Sequence, residues 1–168
     1  MGWLLQRLSF PSRSLCPSLS LLLHSSFVQG LRALQQKKEL HDLLSGVKQR
    51  RDTQFALTLQ SAPPLLVKIA PDLSEDDRQD IAEVVLDVGI DGLVISNTTI
   101  ARPPELRSPA QFESGGLSGA PLKHVSTDLI RDMYRRTQGR VVIIGVGGVE
   151  NGVDAYAKIR AVSQGDTD

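Results

Sequence analysis

Three short apolar runs, residues 65–70 (LLVKIA), 93–95 (LVI) and 141–144 (VVII), alternate with stretches whose apolar residues recur at helical spacing. This alternation constrains the fold more than any other feature of the sequence. Apolar runs without an in-out pattern mark strands buried on both faces, as in parallel sheets. Parallel strands need crossover connections, and the intervals here are long enough to hold helices. The expectation is an α/β chain of three strands and four helices, with no repeat beyond that alternation.

Local signals place the helices. Leu40, Leu43, Leu44 and Val47 fall at i, i+3, i+4 and i+7 and give the first helix one apolar face. Residues 54–62 are polar or small, Pro63 and Pro64 favour extended backbone ahead of the first strand, and Pro71 stops that strand. Ser74 can cap the second helix, with Glu75, Asp76 and Asp77 in its first turn, where carboxylates suit the positive end of the helix dipole. Ile81, Val84, Val85 and Val88 form its buried face, and Gly89 supplies the left-handed residue that ends it. A polar loop with Pro103, Pro104 and Pro109 then runs to Gly115–Gly119. The third helix spans about 126–136, with Leu129, Ile130 and Met133 inward. The fourth opens at Val149 or Asn151 and runs to Ile159, with Val153, Tyr156 and Ala157 at core spacing. Residues 162–168 form a polar tail.

Charge is unevenly spread. Residues 1–38 carry five basic side chains and no acid, whereas residues 39–168 carry 14 basic and 19 acidic ones. A mildly acidic body argues against nucleic acid as a partner. Cys16 is the single cysteine, so no internal disulfide forms, and no cysteine–histidine cluster has metal-ligand spacing. His24, His41 and His124 are scattered and read as surface residues. Residues 1–28 are acid-free, rich in Ser, Leu and Arg, and broken by Pro11 and Pro17, a composition shared with organelle transit peptides. An alternative start with neither fold nor address is the competing reading. The longest apolar run there, 21–23, is far below the roughly 20 residues of a membrane-spanning helix. The segment is expected to make no stable tertiary contacts.

Chemically unusual residues gather where the strands end. Lys68 interrupts an apolar strand, where an unpaired ammonium is costly, so it should face an anion or an electron-rich ring. Snorkelling to solvent or pairing with an acid is the plainer alternative. Ser96, Asn97, Thr98 and Thr99 offer hydroxyls and an amide at the mouth of the next strand, suited to a ligand with both donors and acceptors, although turn formation alone accounts for Asn and Thr. Gly145-Val146-Gly147-Gly148 lies between a strand and a helix and presents unobstructed backbone N–H groups, a usual phosphate cradle that tight turns also imitate.

Together these residues resemble the dihydroorotate dehydrogenases, and more closely their membrane-associated, quinone-using class. The runs that carry the resemblance are GLRALQ, LLVKIAPDLS, GIDGLVISNTTIARP, SGGLSGAPL and RVVIIGVGGVENGVDAYAKIRA, covering about 130 of the 168 residues in order. The resemblance implies an FMN-containing (β/α)8 TIM barrel that oxidises dihydroorotate to orotate in pyrimidine (UMP) biosynthesis. It passes the electrons to ubiquinone at the mitochondrial inner membrane. Carried across by position, Lys68 matches the lysine at the flavin pyrimidine edge, where positive charge favours the reduced, anionic ring. Ser96 stands where the family usually has threonine beside the flavin. Asn97 and Thr98 match the pair that binds the orotate ring, and Gly119, Gly147 and Gly148 match backbone contacts to FMN.

The departures carry their own expectations. Barrels of this kind run to about 250 residues, and this chain accounts for about three β/α units, a partial barrel. On the resemblance, residues 1–29 are unmatched, 30–161 form part of the catalytic domain, and 162–168 diverge. The family's base serine has no counterpart, because Ser14, Ser18 and Ser20 lack a matching context, and no catalytic base is nominated. The chain is expected to be inactive alone. The alternative is a noncatalytic isoform or fragment that acts by association with another chain through its open sheet edges.

Overall fold

The computed structural model describes residues 19–22, 37–56 and 61–162. The elements in chain order are β1 (Leu19–Leu22), α1 (Lys37–Ala56), β2 (Leu65–Ile69), α2 (Glu75–Val88), β3 (Gly92–Ile95), α3 (Leu122–Arg136), β4 (Val142–Gly145) and α4 (Gly152–Ala161). A 3-10 turn, Pro109–Phe112, lies in the long loop before α3. Cys16, His24, Ser14, Ser18, the GLRALQ run and the tail beyond Val162 lie outside the described residues.

All four strands are parallel and their order in the sheet is their order in the chain. This corrects the expectation of three strands, and of an amino-terminal segment without tertiary contacts, because Leu19–Leu22 pairs with Leu65–Lys68. A four-residue run of Leu and Ser carries little signal by itself. Its extended form is fixed by a partner 46 residues further along the chain, which local pattern cannot reveal.

Helices cover one side of the sheet. Leu65, Val67, Ile69, Leu93, Ile95, Val141 and Ile143 share a cluster with Leu40 and Leu44 of α1, Ile81, Val84 and Val85 of α2, and Leu129, Ile130 and Met133 of α3. On the other face Leu66, Val94 and Ile144 form a separate small cluster with Val146. The strands β2, β3 and β4 therefore split their side chains between two apolar environments, the reason the runs read as continuous.

The second helix follows its sequence signals closely. Ser74 accepts the Asp77 N–H, Asp77 accepts the Ser74 N–H in return, and Gly89 closes the helix at φ 71°. The first helix runs on through Ala56, so residues 54–56 are helical rather than loop. Arg51 near its end donates to Asp91 Oδ2 at 2.6 Å, and the same oxygen accepts Leu65 N–H at 2.7 Å, mooring α1 to the sheet. The third helix starts at Leu122, ahead of the expected 126, and buries Leu129, Ile130 and Met133 as expected.

The fourth helix corrects the expected face. Val153, Tyr156 and Ala157 are exposed, while Lys158 and Ala161 are buried. A ten-residue helix offers few turns from which to read a period, and the aliphatic stem of Lys158 fills a core position that its charge conceals.

Candidate functional site

Ile69, Ile95 and Gly145 are register partners, so β2, β3 and β4 end level and their following loops meet on one rim. The strand-end residues are tied to one another through the backbone. Asn97 N–H donates to Ile69 O at 2.8 Å, and Ser96 N–H donates to Val146 O at 3.1 Å. Val146 N–H returns to Ile95 O at 2.5 Å. Ser96 and Asn97 are buried, and the Ser96 hydroxyl donates to Asn97 O at 2.9 Å. Lys68 is half-buried, level with Val94 on the sheet face opposite the helices, and no described residue forms an ion pair with it.

The long loop folds back over this rim. Thr99 and Leu117 exchange backbone hydrogen bonds of 3.0 and 2.7 Å. Gly116 lies so close to Thr98 that a Cβ there would stand 1.9 Å from Thr98 Oγ1, so only glycine permits the approach. Two residues that sequence reasoning passed over hold the loop. Asp72 accepts the Thr99 hydroxyl and, at 2.9 Å, the Ile100 N–H. Arg102 donates to five backbone carbonyls, those of Ile100, Ala101, Gln111, Glu113 and Gly115, at 2.7–3.2 Å. An Asp after a strand and an Arg before two prolines were the available signals, and both look like ordinary loop polarity.

The glycine turn also sits differently from the expectation. The helix that follows it, α4, is capped by its own Asn151, whose Oδ1 accepts Val153 N–H at 2.9 Å and Asp154 N–H at 3.1 Å. The turn instead packs against the start of α3, whose N-cap, Pro121, makes no side-chain cap. A Cβ on Gly148 would lie 2.5 Å from both the N and the Cα of Lys123, and one on Gly147 would lie 3.2 Å from Leu122 Cβ. Gly119 stands just before α3 on its other approach, at φ 84°, with open space where a Cβ would be. Gly119, Gly147 and Gly148 thus converge on one helix amino terminus without a side-chain cap, where Leu122 N–H donates to Gly119 O and Lys123 N–H to Ala120 O, each at 3.0 Å, and where the helix dipole favours an anion.

Charge around this point is ordered. Lys123 Nζ pairs with Glu150 at 2.9 Å and with Asp154 at 3.2 Å. The Glu150 hydrogen bond foremost holds its ammonium above the ordinary range, while the Glu150 backbone N–H holds the Asp154 carboxyl below its own. Ser126 on α3 donates to Gly147 O at 3.3 Å and accepts from the buried Lys158, two more residues the sequence reading did not single out.

The sequence pattern of the family described as dihydroorotate dehydrogenase matches residues 16–163. The chain belongs to the dihydroorotate dehydrogenase family. The match begins ahead of Gly30 and takes in β1. Among curated relatives, the mitochondrial quinone-type dihydroorotate dehydrogenase of Mus musculus is 55% identical over 132 residues, 79% of this chain and 33% of the relative. That of Arabidopsis thaliana is 52% identical over 133 residues, covering 79% and 29%. The quinone-type enzyme of Parvibaculum lavamentivorans is 52% identical over 132 residues, covering 79% and 36%. The chain therefore spans about a third of the length of the curated relatives it matches. DHODH of Eimeria tenella solved with ferulenol superposes with a TM-score of 0.79 at 43% identity, over 86% of this chain and 42% of that one. The ligand-free structure gives 0.76 at 45% identity, over 86% and 43%. The sheet is a partial α/β barrel of the dihydroorotate dehydrogenase type.

Proposed function

We propose that this chain carries one FMN-holding arc of a quinone-dependent dihydroorotate dehydrogenase. The observation that bears most weight is the convergence of Gly119, Gly147 and Gly148 on the amino terminus of α3, which no side chain caps, on the same rim as Lys68, Ser96, Asn97 and Thr98. These residues fit the cofactor. The three glycines would take its phosphate, Lys68 and Ser96 would lie along its ring, and Asn97 and Thr98 would hold orotate or dihydroorotate. FMN, when bound, supplies the acceptor for the two electrons that leave dihydroorotate.

The chain's own residues position and shield. Asp72 and Arg102 hold the 100–117 loop over the rim, keeping Asn97 and Thr98 out of bulk water, where their hydrogen bonds to a ligand gain strength. A positive charge at Lys68 favours electron-rich ring edges. No residue is assigned as the base. Turnover, and delivery of electrons to ubiquinone, would need further strands, because β1 and β4 each pair on one side only among the described residues. The mouse, Arabidopsis and rice relatives are named mitochondrial, which supports the same organelle here and, through the quinone acceptor, its inner membrane. On this reading 30–161 is catalytic-domain sequence, to which the family match adds β1.

Equilibrium titration with FMN, followed by flavin fluorescence, tests the reading. Saturable quenching weakened at least tenfold by Lys68→Ala is the expected result, with little turnover of dihydroorotate on a quinone analogue. Quenching that is indifferent to Lys68, Gly147 and Gly148 alike would remove the flavin assignment. A second reading, a noncatalytic chain that acts by association, is favoured by the one-sided pairing of β1 and β4 and by the exposed Val153, Tyr156 and Ile159 of α4. Sedimentation would reveal it as a concentration-dependent oligomer.

A further inference from the structure

Lys158 is the only charged side chain among the described residues that is fully buried, 2% exposed. Its stem runs beneath the glycine turn, with Cδ 3.3 Å from where a Cβ on Gly145 would stand. Its ammonium reaches α3, donating to Ser126 Oγ at 2.5 Å, Thr127 Oγ1 at 3.1 Å and Lys123 O at 3.4 Å. Three N–H donors thus meet three acceptors, none of them a carboxylate. The Thr127 hydroxyl donates to Lys123 O at 2.7 Å, and the Ser126 hydroxyl donates to Gly147 O at 3.3 Å.

The direction of this relay depends on the lysine's charge. An ammonium has no lone pair, so Ser126 Oγ must accept from it and the hydroxyl proton is left for Gly147 O. A neutral amine has one lone pair and can take that proton, releasing the carbonyl. Gly147 C=O and Gly148 N–H belong to one planar peptide and point in opposite directions, so whatever fixes the carbonyl also aims the N–H. No acceptor among the described residues takes the Gly148 N–H.

We propose that Lys158 is a positioning residue for the anion cradle: through Ser126 it fixes the Gly147–Gly148 peptide, and only the protonated lysine does so. This rests on the reading of the turn as the seat of a ligand phosphate. Burial lowers the Lys158 pKa from 10.5 to about 8, with Asp154 on α4 and Asp128 on α3 opposing the shift. The other charged groups nearby are already engaged: Lys123 with Glu150 and Asp154, and Asp128 with Arg131. The switch therefore falls within reach of mildly alkaline conditions.

Carbon-detected NMR of the full 168-residue chain, from about pH 6.5 to 10, tests the coupling without any ligand. The Gly147 carbonyl and Gly148 nitrogen should titrate with the same midpoint as the Lys158 side chain, while Gly119 stays still. In Ser126→Ala, Lys158 should still titrate and the Gly147–Gly148 peptide should not follow. A wild-type peptide that ignores Lys158, or one that still follows it in Ser126→Ala, overturns the proposal. Equilibrium dialysis adds a second arm. FMN binding should weaken about tenfold between about pH 6.5 and 9.5, the loss of one aligned hydrogen bond, with riboflavin binding unchanged. Equal losses for both flavins count against the proposal. Absence of FMN binding at every pH counts against the flavin reading alone, since the NMR coupling stands or falls separately.

Discussion

Two glycines at the candidate cradle allow backbone strain to be separated from crowding. Gly119 and Gly148 both hold positive φ, 84° and 67°, so alanine at either place incurs the left-handed penalty of about 1–2 kcal/mol. Their surroundings differ. A Cβ at Gly119 would meet nothing within 4 Å, whereas one at Gly148 would meet the Lys123 backbone at 2.5 Å. Backbone cannot swing aside as a side-chain tip can, so Gly148→Ala also forces α3 and the turn apart, adding about 1–3 kcal/mol as overpacked interiors do. The expected destabilisation is about 1–2 kcal/mol for Gly119→Ala and about 2–5 kcal/mol for Gly148→Ala. With a urea slope of about 2 kcal/mol per molar, the two midpoints should lie about 1 M apart, measured by far-ultraviolet circular dichroism at matched chain concentration. Equal midpoints, or a larger shift for Gly119→Ala, would refute the claim that the turn is wedged against the start of α3.

Other expectations follow from single contacts. Asp72→Ala should cost about 1 kcal/mol, modest because the carboxylate is exposed, and should speed limited proteolysis within residues 100–117, where the loop loses its hold on Thr99 and Ile100. Ser74→Ala removes the α2 capping box and should lower stability by about 1 kcal/mol in thermal melts. Lys158 has a depressed pKa in the folded chain, so the unfolded chain binds more protons between about pH 8 and 10.5 and this residue's contribution to stability rises with pH through that window. Wild type should therefore gain up to about 3 kcal/mol over Lys158→Met between those limits, and parallel stability curves would show that the lysine is not held as described.

What the sequence made legible were features written locally. The Ser74 cap, Gly89 and the period of Ile81, Val84 and Val85 define α2 without reference to anything distant. The runs at β2, β3 and β4 are apolar on both faces because each face has its own packing partner. Lys68, Ser96, Asn97 and the glycine turn stood out because polarity or glycine at the end of an apolar strand has few structural excuses. The failures share the opposite property. Leu19–Leu22 becomes a strand only through β2, and α4 turns its Val153 and Tyr156 outward because Lys158 has a polar socket on α3 to fill. That the cradle leans on α3 rather than α4 depends on Asn151 capping α4 first, a competition between two helix ends that spacing does not encode.

Strand order in the sheet equals strand order in the chain, and this has a consequence for biosynthesis. As the polypeptide leaves the ribosome from its amino end, each new strand emerges to find its sheet neighbour already made, and no strand must wait for a later one to be inserted beside it. The sheet can grow by accretion at a single advancing border, each strand pairing with the one made just before it, so that each step closes only the connection between them. At every stage of translation one unpaired border belongs to the newest strand while the other, among the described residues, stays with β1, so only one of the two edges moves.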